Sequence, residues 1–97
     1  MARQIVWTAP AESDRKEILS YWIDRNGSAA YSLKLFRHFN TAINRTIAHP
    51  YIGRPTDING IRVLRVLDHL IFYEVMADAI VVHHIWHERR DLSKLKF

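Results

Sequence analysis

Between Ser28 and about His49 the apolar residues recur four apart: Tyr31, Leu35, Phe39, Ile43 and Ile47, with Phe36 and Ala42 beside them. A step of four returns to the same side of a helix once per turn. The spacing therefore predicts an amphipathic helix whose ladder faces a core. Ser28 stands where a hydroxyl can cap its start, and Pro50 marks its end. The same period occurs earlier, with Ile18 and Trp22 beside Leu19 and Ile23. That segment opens at Thr8-Ala-Pro-Ala-Glu, a hydroxyl cap with proline in the first turn, and Glu12 and Asp14 sit near the positive end of the helix dipole. It stops at Asn26-Gly27, two residues that tolerate the left-handed conformation of a helix end. Two helices so closely joined predict a helical hairpin.

Strand patterns flank the hairpin. Gln4 to Thr8 (QIVWT) is short, apolar and β-rich, and reads as a first strand. Residues 51–60 (YIGRPTDING) read as the longest loop, a place where functional groups tend to sit. Beyond it the period falls from four to two, over Ile61 to Leu67, Leu70 to Met76 and Ile80 to Trp86. The links, Asp68-His69 and Ala77-Asp78-Ala79, are too short for parallel crossovers, so these three strands form an antiparallel meander. Asp91 can cap a short helical turn from Leu92 to Leu95. The fold class expected is α+β in the order β-α-α-β-β-β: a helical hairpin packed on a mainly antiparallel four-stranded sheet, with a short helical tail, in one domain spanning residues 1–97.

Composition restricts the chemistry. No cysteine is present, which excludes disulfides and thiolate metal sites. No apolar run approaches the roughly 20 residues of a membrane span, and the start lacks the apolar stretch of a secretory signal, so no membrane partner and a cytoplasmic location are expected. The net charge of +4 is unevenly spread. From Ala29 to Arg65, Lys34, Arg37, Arg45, Arg54, Arg62 and Arg65 face Asp57 alone, a surplus of five, so the remainder sums to −1. Such a middle suits phosphates or an acidic protein segment, or simply solvent.

The densest chemistry lies in HHIWHERRD, residues His83 to Asp91. The histidine order fits no zinc-protease motif. On a strand His83 and His87 share a face four steps apart, roughly 13 Å, too far for one zinc ion with ligands at about 2.0–2.1 Å. His84 falls on the opposite face. Neither a metal nor a cofactor is expected. No serine or threonine sits in a recognisable nucleophile turn. Acid–base cleavage of RNA has candidates: Asp57 as base, His87 as proton donor and Arg65 to stabilise the phosphorane. Each also has a structural reading. Asp57 can cap a turn, Arg65 can pair with Glu74 or Asp68, and His87 can bond backbone at a strand end. Arg54, Arg62, Arg65, Arg89 and Arg90 together could grip phosphate or carboxylate in a target. Tyr73 and Trp86 add large apolar surface, as core or as contact.

In sequence order, several segments resemble the RelE/ParE superfamily of bacterial type II toxin–antitoxin toxins over essentially the whole chain. They are Thr8 with Pro10 opening the first helix, Pro50, Ile52, Gly53 and Arg54 in the loop, and R-V-L-R-V at Arg62 to Val66. The strand Leu70 to Val75 and the ending Ile85 to Asp91 complete the set. The resemblance implies a small basic toxin neutralised by a cognate antitoxin, whose acidic amphipathic segment would meet Lys34, Arg37, Arg45, Arg62 and Trp86. ParE-like members poison DNA gyrase without catalysis; RelE-like members cleave mRNA on the ribosome. The RelE-like branch would use His87, Arg62 and Arg65, with Asp57 or Thr56 near the place of a glutamate. Glu88, however, stands where that branch carries tyrosine, and only Lys16, Lys34, Lys94 and Lys96 supply lysine. The resemblance therefore favours the ParE-like branch, with DNA gyrase as target and the ribosome and mRNA as the alternative. If Phe39 is core and Arg90 functional surface, truncation to alanine costs about 3–5 kcal/mol at the first and under about 0.5 kcal/mol at the second.

Overall fold

In a computed structural model of the chain, which describes residues 2–95 and 97, all the expected elements form. Strand β1 (Gln4–Trp7) leads into helices α1 (Ala9–Asn26) and α2 (Ala30–Ala48). Then come β2 (Arg54–Pro55), β3 (Ile61–Val66), β4 (His69–Val75) and β5 (Ala79–His87), and a 3-10 turn over Leu92–Lys94. The sheet order is β1-β5-β4-β3-β2. Strands β3, β4 and β5 form the antiparallel meander, and β1 joins β5 in parallel. The four expected strands gain a fifth. Arg54 and Pro55 pair with Val63 and Arg62, turning part of the loop into a short edge strand, where proline's missing N–H is tolerated.

The local chemistry explains the helix ends. Thr8 accepts from the Ala11 N–H through its side chain, and the Gly27 N–H closes α1 on the Ile23 carbonyl with φ of 63°. The cap of α2 falls one residue later than expected, at Ala29, which offers no side-chain bond; Ser28 instead accepts from the Ala30 N–H at 3.2 Å. The Ser32 hydroxyl donates to the Leu19 carbonyl at 2.6 Å and joins the two helices.

The four-residue ladder of α2 builds the core. Leu35, Phe39 and Ile43 pack with Ala11 and with Val66, Ile71, Val82 and Ile85 from one face of the sheet. Burying a side chain such as Phe39 contributes about 1.5–3 kcal/mol. Ile18, Leu19, Trp22 and Tyr31 pack against this cluster from its edge, whereas Ile23 is exposed. The other face of the sheet carries Ile61, Phe72 and Trp86, against which Leu95 of the tail packs. Trp86 is only 4% exposed, so its large surface is core and not a presented contact.

One irregularity sets where the histidines point. The β4–β5 register slips between Phe72 and Tyr73, which face His84 and Val82, so His83 is the extra residue of a bulge. Strand parity changes there. His83 and His87 therefore do not share a face: His83 and His84 both contact the Phe97 ring, whereas His87 lies against His69. Among the described residues no helix is long and apolar enough to cross a membrane.

Candidate functional site

The end of β5 is held from several sides. Pairing with β1 stops at Trp7–Val82, so β5 continues past its neighbour from residue 83 to 87. Asp14 from the first half of α1 covers part of that overhang, accepting from the Ile85 N–H at 3.1 Å and bonding His84 Nδ1 at 2.9 Å. Beside it, His83 Nε2 bonds Glu74 at 3.0 Å. The last residue, His87, pairs across the ladder with His69, their rings edge to face at 5.3 Å. The Arg89 N–H donates to His87 Nδ1 at 3.1 Å, which places the proton of the neutral ring on Nε2. The Glu88 N–H donates to the Asp68 carbonyl, tying the end of β5 to the β3–β4 turn, and its carboxylate pairs with Arg65 at 2.8 Å. Arg90 lies 3.7 Å from the Trp86 ring centroid, while the Trp86 indole N–H donates to the Arg90 carbonyl.

His69 is the buried member of this group. It is 1% exposed, stacks edge-on against Phe39 at 5.4 Å, and among the described residues nothing bonds its Nδ1. Burial pulls its pKa from 6.5 down to about 4, with the neighbouring His87 acting in the same direction and Asp68 partly opposing. A cleft of about 540 Å³ opens beside it, lined from α1 by Glu17, Ile18, Tyr21, Trp22 and Arg25 and from the sheet end by His69, His87 and Arg89.

A second construction lies at the opposite end of the sheet. The Tyr73 hydroxyl donates to the Pro50 carbonyl and accepts from the Gly53 N–H, both at 2.8 Å. A Cβ on Gly53 would fall 2.6 Å from that hydroxyl, so the close approach requires glycine. Arg62 donates to the Gly53 carbonyl at 2.7 Å and the Tyr51 carbonyl at 3.3 Å, with its guanidinium 4.9 Å from the Tyr51 ring centroid. Burial pushes the Tyr73 phenol up, opposed by the Gly53 N–H and Arg62. The Pro-x-Ile-Gly-Arg segment is thus clamped by two sheet residues.

These placements sort the candidate residues. Arg65, His87, Arg89 and Arg90 lie at the same end of the sheet, but only His87 and Arg89 line the cleft; Arg65 pairs with Glu88 and Arg90 lies on Trp86 of the opposite face. Asp57 is not at that end. It follows Thr56, whose N–H bonds the Ile61 carbonyl, and Ile61 begins β3 opposite Glu74. His69 and His87 lie at the Val66 end, five residues further and about 16 Å along the strand. The acid–base pair expected of Asp57 and His87 is therefore not assembled within the chain. Thr56 fails for the same reason, its hydroxyl donating to the Ile61 carbonyl at 2.9 Å. Arg65 pairs with Glu88 and not with Glu74 or Asp68. Arg62 is committed to the loop clamp, and Arg54 is exposed on β2 at the clamp end. Lys34, Arg37 and Arg45 lie exposed on α2, apart from both ends.

Sequence reasoning missed His69, assigned to a turn, and the α1 wall of Glu17, Tyr21 and Arg25. The turn is Leu67-Asp68, with Leu67 at φ 55° in the left-handed region that a tight hairpin needs. That turn makes His69 the first residue of β4, and counting from the β4–β5 link at residues 76–78 would have set it beside Trp86 or His87.

The helical hairpin on a five-stranded sheet defines a class by architecture, the small α+β domains with the ParE/RelE toxin fold. A chain from the chromosomal ParDE toxin–antitoxin system of P. aeruginosa superposes with a TM-score of 0.77 at 20% identity, covering 89% of this chain and 96% of that one. A chain from the RelBE2 toxin–antitoxin complex of Mycobacterium tuberculosis gives 0.59 at 14% identity, covering 90% and 99%. A comparison with curated proteins gave no match. Residues 5–92 match the family model described as the ParE toxin of the type II toxin–antitoxin system, parDE, and the chain belongs to that family.

Proposed function

We propose that this chain is a type II toxin that inhibits DNA gyrase by binding, without chemistry, and that a cognate antitoxin neutralises it through an acidic amphipathic segment. Family membership supports the toxin role. The observation that carries the non-enzymatic reading is the separation of Asp57 from His87 along the length of β3, which takes the loop carboxylate expected as base away from the histidine, while Glu88 beside His87 is paired with Arg65. Tethering of Arg62 in the loop clamp and pairing of Arg65 with Glu88 further deplete a phosphorane-stabilising set. For the antitoxin, α2 exposes Lys34, Arg37 and Arg45 together with Leu33, 51% exposed, and Phe36, 39% exposed. A surface both basic and apolar suits a segment that gains order on binding and needs charge pairing plus apolar burial to offset the cost.

The experiment is a supercoiling assay with purified gyrase, alongside primer extension on mRNA translated with the protein. Blocked supercoiling with intact mRNA is expected. Active gyrase at stoichiometric excess of toxin rejects the reading. The ribosome-dependent nuclease is the second reading, favoured by the gathering of His87, Arg65 and Arg89 at one end. New mRNA 5′ ends that disappear with His87→Ala would establish it instead.

A further inference from the structure

The cleft beside His69 holds more than an arginine that a protein target would meet, and its parts differ chemically. His69 is the floor, buried and with no partner for Nδ1 among the described residues. Buried polar atoms nearly always have partners, because leaving one bare costs about 1–3 kcal/mol. The His69 ring also lines the cleft, so a ligand there lies beside a buried imidazole whose hydrogen bonding is incomplete. The depressed pKa keeps this ring neutral at neutral pH, so it matches an uncharged donor or acceptor better than an anion.

The wall is aromatic and apolar: Ile18, Tyr21 and Trp22, with Trp22 fixed edge-on between Tyr21 at 5.1 Å and Tyr31 at 4.9 Å. At the mouth stand Arg25 and Arg89, both exposed, neither with an ion-pair partner among the described residues. Glu17 is two turns from Arg25 on α1, about 12 Å along the axis, so the acid and this guanidinium occupy opposite ends of the wall. The volume of about 540 Å³ falls within the usual range of small-molecule sites, about 300–1,000 Å³.

We propose that this cleft binds a mononucleotide, its base against Trp22 and Tyr21 with a polar edge toward His69, and its phosphate at Arg25 and Arg89. A nucleotide carries these features in the order the cleft presents them: an uncharged hydrogen-bonding edge, a flat π body and an anionic end. Base stacking on aromatic side chains with arginine on the phosphate is a general mode of nucleotide recognition. Arginine also meets phosphate oxygens two at a time. An acidic peptide offers the anion and an apolar side chain, but would bring backbone polar groups against an apolar wall that cannot bond them.

The full chain can be titrated with AMP, GMP, CMP and UMP, followed by calorimetry and by NMR of the Trp22 indole and His69 ring. Adenosine, inorganic phosphate and an acidic, tryptophan-bearing peptide serve as separate arms. At least one nucleotide is expected to bind saturably and shift both signals, while phosphate alone shifts neither. Arg25→Ala with Arg89→Ala, both at exposed positions, is expected to weaken nucleotide binding about tenfold or more and leave adenosine binding unchanged. The proposal is overturned if no nucleotide binds saturably at about millimolar concentration, if phosphate alone reproduces the shifts, or if the peptide occupies these residues and nucleotides do not.

Discussion

His69 is a residue whose environment makes a pH prediction. Unfolded, it titrates near 6.5; folded, near 4. Above 6.5 both states are neutral and the fold is undisturbed. As the pH falls through 6.5 the unfolded chain takes up a proton that the folded chain refuses, so stability is lost down to about 4, where the folded ring also protonates. The full difference amounts to about 3 kcal/mol from this one group. Urea midpoints at pH 7.5 and 4.5 should therefore differ more in the natural chain than in His69→Leu, which keeps an apolar contact with Phe39 and cannot titrate. Equal differences would show that His69 is not the acid-sensitive group. Tyr73 supports a second measurement. Tyr73→Phe removes the partner of the Gly53 N–H and the Pro50 carbonyl and should cost about 1–3 kcal/mol, read as a lower melting temperature. Gly53→Ala should also destabilise, because the anchored ring blocks its Cβ.

Among the elements, α2 carries the largest single stability effect. Phe39, fully buried at the centre of the helix-side core, should cost about 3–5 kcal/mol on truncation to alanine, measured by chemical unfolding. Arg90 departs from its expected role as free surface. Stacked on Trp86, it should cost about 0.5–1 kcal/mol as Arg90→Ala, more than the small effect expected from sequence. The contrast tracks what a sequence makes legible. The α2 ladder, the Thr8 cap and the Asn26-Gly27 stop are local patterns, and each produced the element they imply. The meander followed from link length. The parallel seat of β1 against β5 was not legible, because strand order depends on how the hairpin crosses the sheet. Nor was the bulge at His83, a one-residue register slip that leaves no mark in composition yet reverses which face His83 shares. At the site, the arginines were visible as residue types. Their commitments, Arg62 to the loop and Arg65 to Glu88, depend on distances that no spacing encodes.

For the molecule as a whole, the basic surplus does not form one rim. It divides into the α2 face with Lys34, Arg37 and Arg45, the clamp end with Arg54 and Arg62, and the cleft end with Arg65, Arg89 and Arg90. Separate surfaces permit separate partners: with the antitoxin proposed on α2, the exposed arginines of the cleft end are left for the target. Exposed charges on a helix face can be removed at little cost to stability, about 0.5 kcal/mol or less each. A variant with Lys34→Ala, Arg37→Ala and Arg45→Ala should therefore still inhibit supercoiling yet bind its antitoxin about tenfold or more weakly. Arg89→Ala should do the reverse, losing inhibition while calorimetry with the antitoxin is unchanged. Arg62→Ala controls for indirect effects, since it releases the loop clamp and should lower the melting temperature before either binding. If both surface variants lose both activities, antitoxin and target share a surface, and neutralisation works by occupying the contacts the target needs. If each loses only one, the antitoxin acts from α2 without covering Arg89, and toxin, antitoxin and gyrase should then appear together in a ternary complex on size exclusion.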